Sequence, residues 1–226
     1  MKYYAIIVAG GTGSRMNSTA PKQFLLLEGK PILMHTMQAF HTCSLKPQII
    51  LVLNIHQHHA WEELCVQFDF KIPHEVVMGG DERFYSVQNG LKQVKGDAIV
   101  AIHDAVRPLI SPQLIETSFL EAERSGNAVL GVTPTDSVRK IISEEQTEAL
   151  DRSKLMLIQT PQTFKLEQLR KAYQQPFRND FTDDASVVER AGYAVHVIPG
   201  ARENIKITYA EDLVIASLFM QKKASE

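Results

Sequence analysis

The first residues that could do chemistry follow an apolar run near the start of the chain, Ala5–Val8. Directly after this run come residues suited to holding phosphate, in the order Ala9, Gly10, Gly11, Gly13 and Arg15. Glycine accepts positive φ and has no Cβ, so successive backbone N–H groups can curl around phosphate oxygens, and an arginine adds a forked positive charge. The pattern is typical of a loop that binds a nucleoside triphosphate at the end of a buried strand.

This loop differs from two better-known phosphate loops. The pattern G-x-x-x-x-G-K-[ST] is absent from the sequence, and a dinucleotide fingerprint that began at Gly11 would place Met16 where its third glycine should stand. A second cation follows, because Lys22 comes after Pro21, whose ring fixes the backbone φ. We therefore expect Arg15 and Lys22 to be held over the same phosphates.

Residues suited to reading a nucleobase follow another apolar run, Val76–Met78. Gly80 allows the close approach of a flat ring, and Asp81 and Ser86 offer polar groups to its edge. With backbone groups so close to the ring, such a site has little width for a purine. The pattern favours a pyrimidine nucleotide.

Candidate ligands for metal and phosphate follow the run Ala98–Ile102. Asp104, at the end of the predicted strand, is placed to hold Mg²⁺, and Arg107 is placed to hold a phosphate, with Ala105 between them. Lys206 is flanked by isoleucines in a short apolar strand and is open to two interpretations. It is either an edge residue whose charge reaches solvent or a phosphate ligand beside other cations.

These residues need elements that bring them to one place. Short apolar runs recur at intervals that leave room for a helix between them, at Ala5–Val8, Ile49–Leu53, Val76–Met78, Ala98–Ile102, Val129–Val132 and Val195–Ile198. Such alternation predicts an α/β fold, in which a mostly parallel sheet carries helices on both faces. Ligands of open parallel sheets gather at the carboxyl ends of the strands, which is where the polar residues described above stand.

Helix starts can be recognised between and after these runs. Ser111-Pro112 predicts an N-cap followed by proline at the first helical position, and Thr208 and Glu211 have the spacing of a capping box before the last helix. Thr182–Asp184 predicts an acidic first turn in which the aspartates act as caps. The segment Gln159–Phe164 is predicted only to lead into a further helix.

The stretch from about residue 134 to residue 155 breaks the alternation of strands and helices. Asp136–Ile142 alternates like a strand, a polar turn follows, and Glu148–Arg152 returns, which predicts a β-hairpin arm. An arm with little core of its own packs on something else, and a second copy of the chain would make the arms reciprocal in a homodimer. Ser137 and Arg152 would then be carried to the far end of the arm.

Composition narrows the class of protein. With 226 residues, 44% hydrophobic content and no low-complexity stretch, residues 1–226 are expected to form a single domain. A net charge of −2 with mixed signs argues against a nucleic-acid-binding face and favours a small phosphorylated substrate. No apolar run approaches the roughly 20 residues of a membrane span. Cys43 and Cys65 lack C-x-x-C spacing and no secretory segment is recognised, so a reduced, cytoplasmic protein is expected.

Six motifs, taken in order from about residue 4 to residue 219, resemble those of the 2-C-methyl-D-erythritol 4-phosphate cytidylyltransferases. They are Ala9–Met16, Pro21–Gln23, Gly80–Val87, His103–Pro108, Gln159–Gln162 and Asn204–Thr208. The resemblance implies a Rossmann-like nucleotidyltransferase fold, Mg²⁺ as cofactor, a homodimer joined by a β-arm and a place in the non-mevalonate isoprenoid pathway. The implied reaction transfers a cytidylyl group from CTP to methylerythritol phosphate, giving 4-diphosphocytidyl-2-C-methyl-D-erythritol and pyrophosphate.

The resemblance also implies roles for individual residues. Arg15 and Lys22 would stabilise negative charge on the α-phosphate and on the departing pyrophosphate. Arg152, contributed by the arm of a second copy, and Lys206 would position the phosphate of methylerythritol phosphate. The implied substrate-binding residues are Ala9, Gly10, Gly11, Gly13, Gly80, Asp81, Ser86, Asp104, Ala105, Arg107, Ser137 and Thr160, with Asp104 also the implied metal ligand. Ser137 stands where the family commonly has threonine, which keeps the hydroxyl and drops a methyl.

Two other interpretations stay open. A cytidylyltransferase for ribitol 5-phosphate would share the glycine loop, the H-D-A-x-R-P element and the N-I-K-I-T strand. The segment Leu150–Leu155 favours the methylerythritol enzymes, because Arg152 stands at the position of their substrate-binding arginine, where a tyrosine-containing segment is expected in the ribitol enzymes. A catalytically silent nucleotide-binding module would not need cations aimed at a leaving group, and Arg15 and Lys22 are such cations.

Overall fold

The computed structural model describes residues 1–9 and 21–225. In that part of the chain the strands are β1 (Lys2–Val8), β2 (Leu26–Leu27), β3 (Lys30–Pro31), β4 (Gln48–Leu53), β5 (Glu75–Met78), β6 (Ala98–Asp104), β7 (Asn127–Val132), β8 (Val138–Ile141), β9 (Thr147–Leu150), β10 (Leu157–Lys165) and β11 (Val197–Pro199). The helices are α1 (Ile32–Thr42), α2 (His58–Gln67), α3 (Arg83–Leu91), α4 (Pro112–Ser125), α5 (Leu166–Ala172), α6 (Asp184–Arg190) and α7 (Ala210–Ser225). None of these helices is both long enough and apolar enough to cross a membrane.

A seven-stranded sheet in the order β11-β7-β10-β6-β1-β4-β5 forms the centre of the fold. Its strand β1 pairs in parallel with β4 and β6, so that Ile6 faces Ile50 on one side and Ile102 on the other. Each of the six predicted apolar runs overlaps a strand of this sheet. Strands buried on both faces appear in the sequence as continuous apolar runs, and these runs predicted where the strands lie. The predicted α/β fold with a mostly parallel sheet is confirmed.

Strand β10 was not predicted, and it runs antiparallel between β6 and β7. Its middle is polar yet buried, because Gln159, Thr160, Gln162 and Thr163 all lie in the interior. Their side chains are satisfied by hydrogen bonds rather than by apolar contact; the Gln162 amide, for example, donates to the Asp183 carboxylate at 2.9 Å and accepts from the Ala185 N–H at 2.8 Å. A strand without an apolar run gives no signal in hydrophobic periodicity.

Helices cover both faces of the sheet, as predicted. Alternate residues of β1 point to opposite sides, so Ala5 and Ile7 belong to one buried cluster and Ile6 to the other. The first cluster packs against side chains of α1, α2 and α4, including Trp61, and the second against side chains of α3, α5 and α6, including Phe84. The rigid centre thus fixes the carboxyl ends of β1 and β6 beside each other.

The predicted arm contains a hairpin in which β8 and β9 pair antiparallel, with Val138 opposite Leu150. This pair forms a two-stranded sheet of its own, separate from the central sheet. Its residues are almost all exposed, and Ile141 has 77% of its surface accessible. The hairpin therefore has no core of its own.

Two of the three predicted helix caps are present. The Ser111 side chain accepts from the Leu114 N–H at the start of α4, and Asp183 forms a capping box with Ser186 at the start of α6. The capping box predicted for the last helix is wrong, because the Asp212 carboxylate accepts from the Thr208 and Tyr209 N–H groups there. A carboxylate at this point also interacts favourably with the helix dipole.

Candidate active site

A pocket opens over the carboxyl ends of β1 and β6, at the edge of the sheet where ligands were expected. Eight of the predicted site residues line it, namely Ala9, Lys22, Gly80, Asp81, Ser86, Asp104, Ala105 and Lys206. They come from five separate segments of the chain, and the sheet brings them together. Gly10, Gly11, Gly13 and Arg15 lie outside the described residues, so the predictions for them stay predictions.

Asp104 is the anionic centre of a cluster of cations in this pocket. Its Oδ2 lies 3.0 Å from the Lys206 Nζ and 3.4 Å from the Arg107 Nε, while its Oδ1 lies 3.7 Å from the Arg83 Nε. Burial by itself would raise the pKa of the Asp104 carboxyl, but the positive charges of Arg83, Lys206 and Arg107 outweigh it and hold that pKa well below its usual range. The carboxylate is therefore ionised, and it holds the Lys206 ammonium at the pocket.

Arg83 lines the pocket and was missed as a site residue. Its guanidinium makes a bidentate pair with the buried Asp184 carboxylate, with Nη1–Oδ1 and Nη2–Oδ2 distances of 2.9 and 2.6 Å. The Tyr173 hydroxyl donates to the same carboxylate at 2.6 Å. The sequence placed Asp184 among capping residues, whereas only Asp183 caps α6. An arginine two residues after Asp81 was a signal for the site, but its distant acidic partner could not be inferred from spacing.

Arg107 does not line the pocket, although it was predicted to bind a phosphate. Its Nη1 donates to the Asn204 carbonyl at 2.8 Å, and its Nε contacts Asp104. Its side chain is only 11% exposed. Arg107 therefore braces the segment that carries Lys206 against the end of β6.

Thr160 also lies behind the pocket wall and not in it. Its hydroxyl oxygen accepts from the Asp104 N–H at 3.1 Å and lies 3.0 Å from the His103 Nδ1. The His103 Nε2 lies 3.2 Å from the Arg107 carbonyl, which can only accept, so Nε2 carries the hydrogen. Burial lowers the pKa of His103 to about 3, which keeps the ring neutral, and the hydroxyl hydrogen of Thr160 is donated to its Nδ1. The predicted part of Thr160 in substrate binding stays a prediction.

The candidate base site depends on a glycine at position 80. A Cβ there would lie 2.4 Å from the Cβ of Tyr85, which is closer than side chains can approach. The Gly80 N–H donates to the Ser86 hydroxyl at 3.0 Å, so this hydroxyl fixes the loop as well as lining the pocket. Asp81 is exposed beside them.

Gln23 is a second residue that sequence reasoning left out of the site. Its side chain is buried at the pocket wall and donates to the Ala9 carbonyl at 2.9 Å and to the Gln57 side chain at 2.7 Å. It thereby ties the end of β1, where the glycine loop begins, to the short 3-10 helix Lys22–Phe24 that carries Lys22. Gln23 was part of the Pro21–Gln23 motif of the resemblance, so the sequence did contain a signal for it.

Ser137 and Arg152 are not brought to the pocket of their own chain. Both are exposed, and neither is among the lining residues. Arg152 lies in a 3-10 helix, Arg152–Lys154, that follows β9, and its guanidinium donates to the Thr135 carbonyl at the base of the arm. The predicted roles of these two residues stay predictions.

A mostly parallel sheet whose central strands end at a pocket lined by Lys22, Arg83 and Lys206 is the arrangement of an α/β enzyme that acts on phosphorylated nucleotides. Comparison with known proteins makes the class specific. Residues 3–222 match the family model described as IspD, 2-C-methyl-D-erythritol 4-phosphate cytidylyltransferase, and the chain belongs to this family.

Individual relatives agree with the family match. The chain is 47% identical to the 2-C-methyl-D-erythritol 4-phosphate cytidylyltransferase of Bacteroides fragilis over 96% of this chain and 98% of the relative. Among solved structures, the Thermus thermophilus protein of the same name has a TM-score of 0.77 at 27% identity, covering 98% of this chain and 100% of that one. The 4-diphosphocytidyl-2C-methyl-D-erythritol synthase of Anaerococcus prevotii has a TM-score of 0.81 at 26% identity, covering 97% and 96%.

Proposed function

We propose that the protein transfers a cytidylyl group from CTP to 2-C-methyl-D-erythritol 4-phosphate and releases pyrophosphate. One observation carries this proposal at the level of the site. Lys22 and Lys206, from opposite ends of the chain, line one pocket together with the base-site residues Gly80 and Ser86. Cations from both segments are what a reaction between two phosphates requires.

The chemistry follows from the charges involved. Attack of one phosphate on another brings anionic groups together, so fixed cations and in-line positioning supply most of the rate enhancement. A phosphate monoester has a second pKa of about 6 and is already mostly dianionic near neutral pH, so the nucleophile needs no protein base. Lys22 stabilises charge on the departing pyrophosphate, and Lys206, held by Asp104, positions the attacking phosphate.

Mg²⁺ is the proposed cofactor. Among residues 1–9 and 21–225 no group of three or more His, Cys, Asp or Glu side chains could hold a metal by itself. Mg²⁺ commonly takes one or two carboxylates and completes its shell with water and substrate phosphates, and the Asp104 Oδ1, which is 3.7 Å from the Arg83 Nε, fits as that one ligand. The ion would neutralise triphosphate charge. We expect EDTA to abolish turnover and added MgCl₂ to restore it.

A homodimer is proposed from the exposed apolar residues of the arm and of the strand that follows it. Ile141, Ile142, Leu150, Leu157 and Ile158 are all exposed in the single chain. A second copy covering this surface would remove it from water and make the contact reciprocal about a two-fold axis. Analytical ultracentrifugation should give a dimer, and Ile141→Asp should weaken it. We also propose a cytoplasmic location, which suits the free thiols of Cys43 and Cys65.

The experiment that tests the function is pyrophosphate release with matched substrates. CTP is offered with 2-C-methyl-D-erythritol 4-phosphate, with ribitol 5-phosphate and with no acceptor, and ATP and UTP replace CTP in parallel reactions. We expect rapid release only with CTP and methylerythritol phosphate, with UTP the better of the two substitutes because its base is also a pyrimidine. Faster release with ribitol phosphate would reassign the acceptor, and equal turnover of ATP would refute the cytidylyl specificity.

A further inference from the structure

His103 is a fully buried residue that the reaction as described does not use. It lies near the end of β6, directly before Asp104 and Ala105, which belong to the pocket wall. Its ring contacts Phe40 edge-on, with ring centroids 5.0 Å apart, and it does not line the pocket itself. Both ring nitrogens nevertheless have hydrogen-bond partners, Thr160 and the Arg107 carbonyl, and both partners are connected to Asp104 in the pocket wall.

The hydrogen bonds of the His103 ring reach two points of the same backbone segment. The ring Nε2 donates to the Arg107 carbonyl over 3.2 Å, and the Nδ1 accepts from the Thr160 hydroxyl over 3.0 Å. The Thr160 oxygen in turn accepts from the backbone N–H of Asp104 at 3.1 Å. These hydrogen bonds therefore fix the backbone at both ends of the segment from Asp104 to Arg107.

Fixing this segment places the charged groups of the pocket. Asp104 holds the Lys206 Nζ at 3.0 Å, and Arg107 holds the carbonyl of Asn204, two residues before that lysine. Movement of either end would displace the Asp104 carboxylate and, with it, the Lys206 ammonium. A misplacement of about 1 Å at a reacting centre can cost roughly 10²-fold in rate.

We propose that His103 is a positioning residue for the transfer reaction, which through Thr160 and Arg107 sets the location of the Asp104 carboxylate and thereby of the Lys206 ammonium. The inference rests on the proposed function, because Lys206 has its part in that reaction. It assigns to histidine a task that needs two nitrogens on opposite sides of one rigid ring. Asparagine and glutamine each reproduce one of these positions.

The test uses three substitutions of His103 in the full-length protein. Asparagine keeps a polar group near Nδ1, glutamine keeps a donor near Nε2, and leucine keeps neither. We expect kcat to fall roughly 10²-fold in His103→Leu and about 10-fold in His103→Asn and His103→Gln, with KM for CTP within about two-fold of wild type. Thr160→Val should lower kcat further when added to His103→Gln, because valine also removes the oxygen that accepts from the Asp104 N–H.

His74 provides a matched control for loss of folding stability. It too bridges two groups through its ring nitrogens, accepting from the Trp61 indole N–H at 3.0 Å and contacting the Ile72 carbonyl at 2.7 Å, and it does not line the active-site pocket. The same three substitutions at His74 should lower Tm and leave the kcat of the folded protein unchanged. All rates are measured at about 10 °C or more below each variant's Tm, where the native state predominates.

The outcomes separate the inference from the function on which it rests. Graded loss of kcat in folded His103 variants, with none in the His74 variants, supports the positioning role. If folded His103→Leu turned over at the wild-type rate on an active wild-type background, His103 would be a structural residue only. If the wild-type protein released no pyrophosphate with any acceptor, the proposed function would fail and the inference with it.

Discussion

The pocket and the arm both carry residues predicted to bind a phosphate, but they are built in opposite ways. At the pocket, Asp104 and its neighbours are buried and joined by hydrogen bonds that link β6, β10 and the segment before α7. On the arm, Arg152 is exposed and bonds to a local group, the Thr135 carbonyl. The pocket is therefore organised within one chain, whereas the contacts of Arg152 in the described part of that chain do not fix the arm against the pocket.

This difference is the basis for proposing that Arg152 acts at the site of a second copy. Buried networks keep their geometry without a ligand, because each member is held by several partners. Arg152 is exposed and its guanidinium bonds to a nearby backbone carbonyl, so a second copy of the chain that covered it would set its final position. The following predictions test this division, beginning with the largest effect.

Lys22→Ala should lower kcat by about 10²–10³-fold and raise KM for CTP much less, because its cation matters most as charge develops on the leaving pyrophosphate. Steady-state kinetics with CTP varied at saturating acceptor would measure both. Lys71→Ala is the matched control, since Lys71 pairs with Asp69 at the surface and lies outside the pocket. Wild-type turnover by folded Lys22→Ala would contradict the leaving-group role.

Mixing Lys22→Ala and Arg152→Ala chains should restore about a quarter of wild-type activity if subunits redistribute at random. Half of the dimers are then mixed, and each mixed dimer has one intact site if Arg152 acts across the two-fold axis. A mixture of Lys22→Ala with Lys206→Ala should stay inactive, because those two residues line the same pocket. Failure of the first mixture despite demonstrated subunit exchange would place Arg152 in its own chain's site.

Asp184→Asn should lower the free energy of unfolding by about 3 kcal/mol, because it leaves the Arg83 guanidinium without its buried counter-charge. This value is at the lower end for such pairs, since the Arg83 side chain is 31% exposed. Asp180→Asn makes the same change in the exposed pair with Arg178 and should cost less than about 1 kcal/mol. Urea unfolding of both variants measures the two losses in the free energy of unfolding. Equal losses would show that burial of the Arg83 pair contributes nothing to stability.

Arg139→Ala on the arm should change the free energy of unfolding by less than about 0.5 kcal/mol. The Arg139 guanidinium bonds to the Thr147 hydroxyl and carbonyl at 2.7 and 3.0 Å across the hairpin, but these groups are exposed to water. Urea unfolding at a concentration below that of dimerisation would isolate the single chain. A loss above about 1 kcal/mol, the usual worth of a hydrogen bond, would show that the hairpin stabilises the chain more than its exposure indicates.

Much of the fold could be read from the sequence, and the reason is local. The central strands are buried on both faces and therefore consist of continuous apolar residues, as in Ala98–Ile102. The cap at Ser111 and the arm's hairpin also depend on residues close together in the chain. The pocket followed from one rule, that polar residues after parallel strands meet at a common edge.

Tertiary structure decided everything that depended on partners far apart in sequence. The buried polar side chains of β10 form hydrogen bonds with residues far away in the sequence. This strand has no apolar periodicity from which it could have been predicted. Arg83 belongs to the site because folding brings Asp184 against it, and Arg107 and Thr160 stand behind the wall, where they bond to Asn204 and His103. The sequence determined which groups were available for phosphate chemistry. Only the packed sheet determined which of them face the pocket and which hold the others in place, because hydrogen-bond geometry and burial are set by neighbours in space.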